Sequence, residues 1–194
     1  SNTNTYILDG FVYLLGGAEL HIEPGTVIKG VPGTDNSNFG NLFITQGAKL
    51  FAQGTPQNPI IFTAEEDVVT DPNDLGPTDT QLWGGIIILG NARINNAVNA
   101  AGDAANPKYD IYEGLPDTQI DGQFVNRYGG ANEDDSSGVL RYVSIRHGGK
   151  LLESNKEVNG LSLCAVGRGT TVEYVEVYAN SDDGFEFFGG SVNT

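Results

Sequence analysis

The chain has 194 residues, with 25 Asp and Glu against 10 Lys and Arg and a formal charge of −15. That balance leaves no basic stripe to track phosphates, which excludes nucleic-acid binding, and no apolar run nears the roughly 20 residues that cross a bilayer as a helix. With 39% hydrophobic residues it is too apolar for a disordered acidic chain.

In chain order, the apolar residues come as short alternating or continuous runs rich in Val, Ile, Tyr and Phe. Tyr6 to Leu8, Val12 to Leu14, Leu20 with Ile22, and Val27-Ile28 read as the first strands, followed by Leu42 to Ile44 and Ile60 to Phe62. Residues 65–82 then bring six acids and two prolines and read as a loop. Trp83-Gly84-Gly85 re-enters the strand pattern through Ile86 to Leu89, with Trp83 expected to cover an end or corner of the core. Residues 91–137 are polar and rich in Gly and Asn, with Tyr109, Tyr112, Phe124 and Tyr128 scattered through them. Such a long connection is functional or folded back on the body, and the four aromatics favour folding back. Strands resume at Leu140 to Ile145, Leu161 to Val166, Val172 to Val177 and Phe185 to Phe188. No helical period of 10–15 residues separates any of them, so the chain reads as all-β.

Internal repeats choose among the all-β architectures. Gly17-Ala18-Glu19-Leu20 returns 30 positions later as Gly47-Ala48-Lys49-Leu50, and Leu140 to Ile145 returns as Val172 to Val177. Gly138, Gly160 and Gly184 each open a strand, at spacings of 22 and 24 residues. A sandwich also uses alternating strands, but a recurring period with Gly and Asn at the corners favours a parallel β-helix, a β-solenoid. In that fold each coil buries its inward side chains against the coils above and below, about 4.8 Å away. The expectation is one β-helix domain over residues 1–194, carrying two long loop insertions at about 65–82 and 91–137.

Cys164 cannot form an internal disulfide and lies in an apolar run, where it reads as a core filler. His21 and His147 stand at no zinc-ligand spacing. The chain has no Met, so it does not begin at its own initiator; Ser1 to Asn4 reads as a processed terminus or an expression scar. Acidity, few Lys and abundant Asn, Thr and Gly suit a secreted, extracellular or cell-surface protein. Val192-Asn193-Thr194 carries no capping pattern, which points to a fragment or to an end covered by another molecule.

If Gly138, Gly160 and Gly184 share one corner, Glu133, Asp134, Asp135, Glu157, Asn159, Asp182, Asp183 and Glu186 form an acidic column. Unit charges about 4.8 Å apart repel by roughly 1 kcal/mol even in water, and calcium with its oxygen ligands would relieve this. The alternative is a solvated corner whose Asp side chains cap turn amides. A lyase would add a cationic or imidazole base, for which Arg146, His147 and Arg168 are the candidates, with Arg141 and Lys150 behind them. Each of these also reads as a surface charge offsetting nearby acids, and the overall negative field repels polyuronates.

Several segments resemble a known family. They are Ile22-Glu23-Pro24-Gly25-Thr26-Val27-Ile28-Lys29-Gly30, Pro59 to Thr63, Trp83 to Gly90, Asp134 to Val143, Glu157 to Leu161, and Asp182-Asp183-Gly184-Phe185-Glu186-Phe187-Phe188-Gly189-Gly190. Together they resemble the exported right-handed parallel β-helix (pectin-lyase-like) proteins of Bacteroidetes and other aquatic bacteria, some of which carry a type IX secretion sorting domain. The resemblance implies the fold and export. It implies little about activity, because such solenoids host lyases, hydrolases, adhesins and structural proteins alike. The Asp182-Asp183-Gly184 run is also similar to calcium-binding corners of some β-helix pectate lyases. The expected function is a structural or adhesive β-helix that assembles end to end with further coils or copies of itself and binds calcium. The alternative is a calcium-assisted polysaccharide lyase or another carbohydrate-active or carbohydrate-binding β-helix.

Overall fold

The computed structural model describes residues 2–95 and 108–194, which contain β-strands, turns and loops and no helix. The first coil runs through β1 (Thr5–Leu8), β2 (Phe11–Leu14) and β3 (Glu19–Ile22), the second through β4 (Val27–Gly30), β5 (Asn41–Ile44) and β6 (Lys49–Gln53). The third begins with β7 (Ile60–Ala64) and β8 (Ile86–Leu89). Four two-residue strands follow in the second insertion: β9 (Asp110–Ile111), β10 (Gln119–Ile120), β11 (Gln123–Phe124) and β12 (Arg127–Tyr128). The coil closes with the long strand β13 (Gly138–Arg146). A small hairpin, β14 (Leu151–Glu153) with β15 (Lys156–Glu157), precedes β16 (Leu161–Cys164), β17 (Thr171–Tyr178) and β18 (Phe185–Phe188).

These strands stack in parallel into three faces. The first face holds β1, β4, β7 and the second halves of β13 and β17. The second holds β2, β5, β8, β16 and β18. The third holds β3, β6 and the first halves of β13 and β17. The chain is thus a parallel β-helix, as its repeats predict. The pairings Leu20 with Leu50, Leu140 with Val172 and Ile145 with Val177 reproduce the repeats read from the sequence.

β13 serves two faces because it bends in its middle. Gly138 to Arg141 pair with Leu50 to Gln53, while Val143 to Ile145 pair with Ile60 to Phe62. The residue between, Tyr142, has φ 50°, and its equivalent Tyr174 has φ 53°. Left-handed backbone is uncommon for an aromatic residue, so surrounding structure must hold it there. Both tyrosines sit on the same corner with their rings stacked 4.6 Å apart and 4° from parallel.

Inward side chains form columns through the stack. Leu42, Ile86 and Leu161 make one, Ile44, Ile88 and Leu163 another, and Ile28, Phe62 and Ile145 a third. Stacking like on like removes each from water, worth about 1.5–3 kcal/mol per large aliphatic side chain. Trp83 belongs to this interior and is fully buried. Its Nε1 donates to the Arg146 carbonyl at 2.6 Å, and it fills the space beside Gly30, where a Cβ would come within 2.7 Å of the indole.

The second insertion folds back, as its aromatics suggest. Tyr112 and Tyr128 bury against Phe43, Ile87 and Cys164 on the outward side of the second face. Tyr112 Oη and Ser162 Oγ lie 2.9 Å apart, and Tyr13 Oη donates to Asn126 Oδ1 at 3.3 Å.

One expectation is corrected. Gly138 pairs with Leu50 on the third face, whereas Leu161, next to Gly160, pairs with Ile86 and Phe185 on the second. The Gly160–Gly184 spacing of 24 is one coil, but Gly138 belongs to a different corner. Asp134 and Asp135 therefore do not stand above Asp182, Asp183 and Glu186, and no single acidic column forms.

Candidate functional site

The first insertion is fastened to the first face by polar bonds. Lys29 Nζ donates to the Glu65 and Asp67 carbonyls at 2.9 and 2.6 Å, and Thr63 Oγ1 donates to the buried Asp67 carboxylate. At its other end, Gln81 N and Leu82 N donate to the carbonyls of Gly148 and His147. Asp74 ties the loop to itself. Its carboxylate accepts from Val68 N and Leu75 N, and the Val68 bond above all holds its pKa below the usual value. Between this loop and the ends of β13 and β17 lies a groove of about 320 Å³.

Arg146 and His147 both line that groove, as do Glu176 and Tyr178 from β17. Arg146 is engaged by its neighbours. Its Nε donates to Ser144 Oγ at 2.7 Å, its guanidinium lies 3.8 Å from Glu176, and Ser144 Oγ donates to Glu176 Oε1 at 2.6 Å. His147 is buried, with φ 61°, and its Nδ1 lies 2.7 Å from the Asp79 carbonyl oxygen. A carbonyl only accepts, so Nδ1 carries a proton and donates to it. The ring meets Tyr178 edge-on at 5.5 Å.

Arg168 lies elsewhere, at the corner between the second and third faces. Its Nε is 3.2 Å from Asp134 Oδ1, and its backbone N–H donates to the Glu133 carbonyl. Asp135 accepts from both the backbone and side-chain N–H of Asn91 at 3.0 and 3.3 Å. Asp134 and Asp135 thus clasp the base of the second insertion to the turn before β17. The three candidate lyase residues do not converge on one place.

Asp182, Asp183 and Glu186 sit at the corner leading into β18. Glu186 faces outward, in the column of Tyr13, Phe43, Ile87 and Ser162, where the second insertion brings Glu113 close. Burial, and then the charges of Glu113, Asp182 and Asp183, push its pKa up to about 7, while a hydrogen bond from Asn159 Nδ2 pulls the other way. Glu113 is itself raised, first by burial. Asn159 Oδ1 is buried with no partner among the described residues. No three His, Cys, Asp or Glu side chains among the described residues come together in a way that could hold a metal ion.

Cys164 is fully buried and its thiol pKa is raised well above the ordinary value, first by burial, which removes it as a nucleophile. Sequence reasoning missed Glu176 and Tyr178 as groove residues. The acids of the loop were visible, but nothing in the sequence says that residues 65–82 lie across β17.

Over residues 1–194 the chain matches a family model described as pectate-lyase-like beta helix domain. No curated protein and no solved structure matches it.

Proposed function

The chain belongs to the pectate-lyase-like β-helix domain family, and from that premise we propose that it is an exported structural or adhesive β-helix whose β18 rung docks on the β1–β3 coil of a second copy. The observation that carries this reading is the state of β18. Phe185 and Phe187 continue the inward columns of Leu161 and Leu163, yet they are 37% and 51% exposed where the leucines are at 0%. Tyr174 beside them is 68% exposed. At the opposite end, Tyr6 and Ile7 of β1 are exposed, and Leu20 and Ile22 line an apolar hollow.

A parallel ladder is extended only head to tail, so β18 of one copy meets the β1–β3 coil of the next, a heterologous contact that does not close on itself. A lyase fits less well. Arg146 is tied to Ser144 and Glu176, and Arg168 stands at another corner. Sedimentation velocity over a concentration series tests the assignment. The parent chain is expected to shift to larger species with concentration, while a folded Phe187→Asp variant stays monomeric. A parent chain that remains monomeric throughout, or a variant that assembles equally, overturns it.

A further inference from the structure

The two docking surfaces carry the same sign of charge. All 10 Lys and Arg of the chain fall between Lys29 and Arg168. Residues 1–28, which hold the β1–β3 coil, bring Asp9, Glu19 and Glu23 and no Lys or Arg. Residues 169–194, which hold β17 and β18, bring Glu173, Glu176, Asp182, Asp183 and Glu186, again with no Lys or Arg. Arg141 and Arg146 reach up from β13 to Glu173 and Glu176. Asp9, Asp182 and Asp183 are exposed and form no ion pair among the described residues.

The register of the ladder decides which of these acids meet. Val12, Leu42, Ile86, Leu161 and Phe185 form one column of the second face. One more parallel rung sets Val12 of a second copy on Phe185 and its Leu14 on Phe187. On the first face the same step sets Tyr6 on Val177 and Ile7 on Tyr178. Ile7 and Tyr178 are exposed, yet the members of their outward column between them, Lys29, Thr63 and Arg146, are polar. This register gives both an apolar neighbour that their own copy does not supply. It also brings Asp9, three residues before Val12, over Asp182, three residues before Phe185, with Asp183 beside it.

Strands in such a ladder lie about 4.8 Å apart, so the facing acids repel at close range. At 0.01 M salt the Debye length is about 30 Å and every acid of one end acts on the other; at 0.15 M it is about 8 Å and only facing pairs still do. On the premise of the docking proposed above, we infer that the junction is gated by ionic strength. Like charge holds the copies apart in dilute salt, and screening lets the apolar rungs close. A contact made of opposite charges behaves in the reverse way and loosens as salt rises.

Sedimentation velocity at 10, 50 and 150 mM sodium chloride, at constant pH, tests the gate. The dissociation constant of the parent chain is expected to fall about tenfold from the lowest salt to the highest. Asp9→Asn combined with Asp182→Asn removes the facing pair at two exposed positions. That variant should associate about threefold more tightly than the parent at 10 mM, with a shallower salt dependence and unchanged thermal unfolding. Parent association that is equal at all three salts, or weaker at high salt, overturns the gate and leaves the docking standing. Full salt dependence in the double variant overturns Asp9 and Asp182 as its source. A parent chain that stays monomeric in every salt overturns the docking itself, and the gate with it.

Discussion

The insertions at 65–82 and 91–137 both leave the third coil, yet they meet the solenoid by different physics. The first has few apolar residues to bury; charged and backbone groups hold it through Lys29, Asp67 and the amides of Gln81 and Leu82. The second lays Tyr112 and Tyr128 on Phe43, Ile87 and Cys164 and seals the face beneath it. A loop fastened at its rim by hydrogen bonds stands off the surface and leaves a groove. A loop fastened by aromatics through its middle becomes part of the core. The comparison teaches that composition decides whether an insertion makes a site or a second layer of packing.

Changes on each side should separate the two. The largest effect is expected from Tyr112→Ala, which removes a fully buried ring and its bond to Ser162. By analogy with large-to-small aromatic substitutions it should cost about 3–5 kcal/mol in urea unfolding. Hydrogen exchange should rise over residues 109–128 and stay unchanged over 65–82; equal loosening of both would erase the distinction drawn here.

Next comes Lys29→Met, which keeps the stem and removes two charge-assisted bonds to the first insertion. A loss of about 1.5–3 kcal/mol is expected, with exchange now rising over residues 65–75 alone. Unchanged protection there would mean that the loop is held by something other than its rim.

The smallest effect is a pH dependence at the edge of the second insertion. Glu186 titrates at about 7 when folded against an ordinary 4.5, so the native state binds the extra proton between those values. Stability contributed at that site therefore falls as pH rises from about 4.5 to 7. Glu186 is partly exposed, so screening trims the change to about 1 kcal/mol. Glu186→Gln should flatten that slope in unfolding curves recorded at pH 5 and pH 8, and an unaltered slope would remove Glu186 as its source.

The sequence displays the stacking itself plainly, because Leu140 to Ile145 and Val172 to Val177 sit on one another and share the same order of apolar and polar positions. It hides which face a strand joins. Gly138 and Gly160 look alike, each following polar residues and opening an apolar run, yet they lie on different faces. The discriminator is the bend at Tyr142, whose positive φ has no sequence signature in a tyrosine. The groove was illegible for a related reason. Arg146 and His147 stand out as candidates, but Glu176 reaches them only because β17 pairs along β13. The fate of Glu186 depended on Glu113, more than 70 positions away, arriving with the folded-back insertion.

The placement of the second insertion also bears on how the chain finds its shape. On the third face, Leu20 meets Leu50 after 30 positions, whereas Leu50 meets Gly138 only after 88. Joining ends across the longer stretch costs roughly 1 kcal/mol more in chain entropy, which grows as the logarithm of loop length. Above and below that junction the separations return to about 22 to 44 positions. The rod thus consists of two locally wound segments joined at one seam, and two strands rivet it: β13, bonded to β6 and β7 on one side and to β17 on the other, and β16, bonded to β8 and β18.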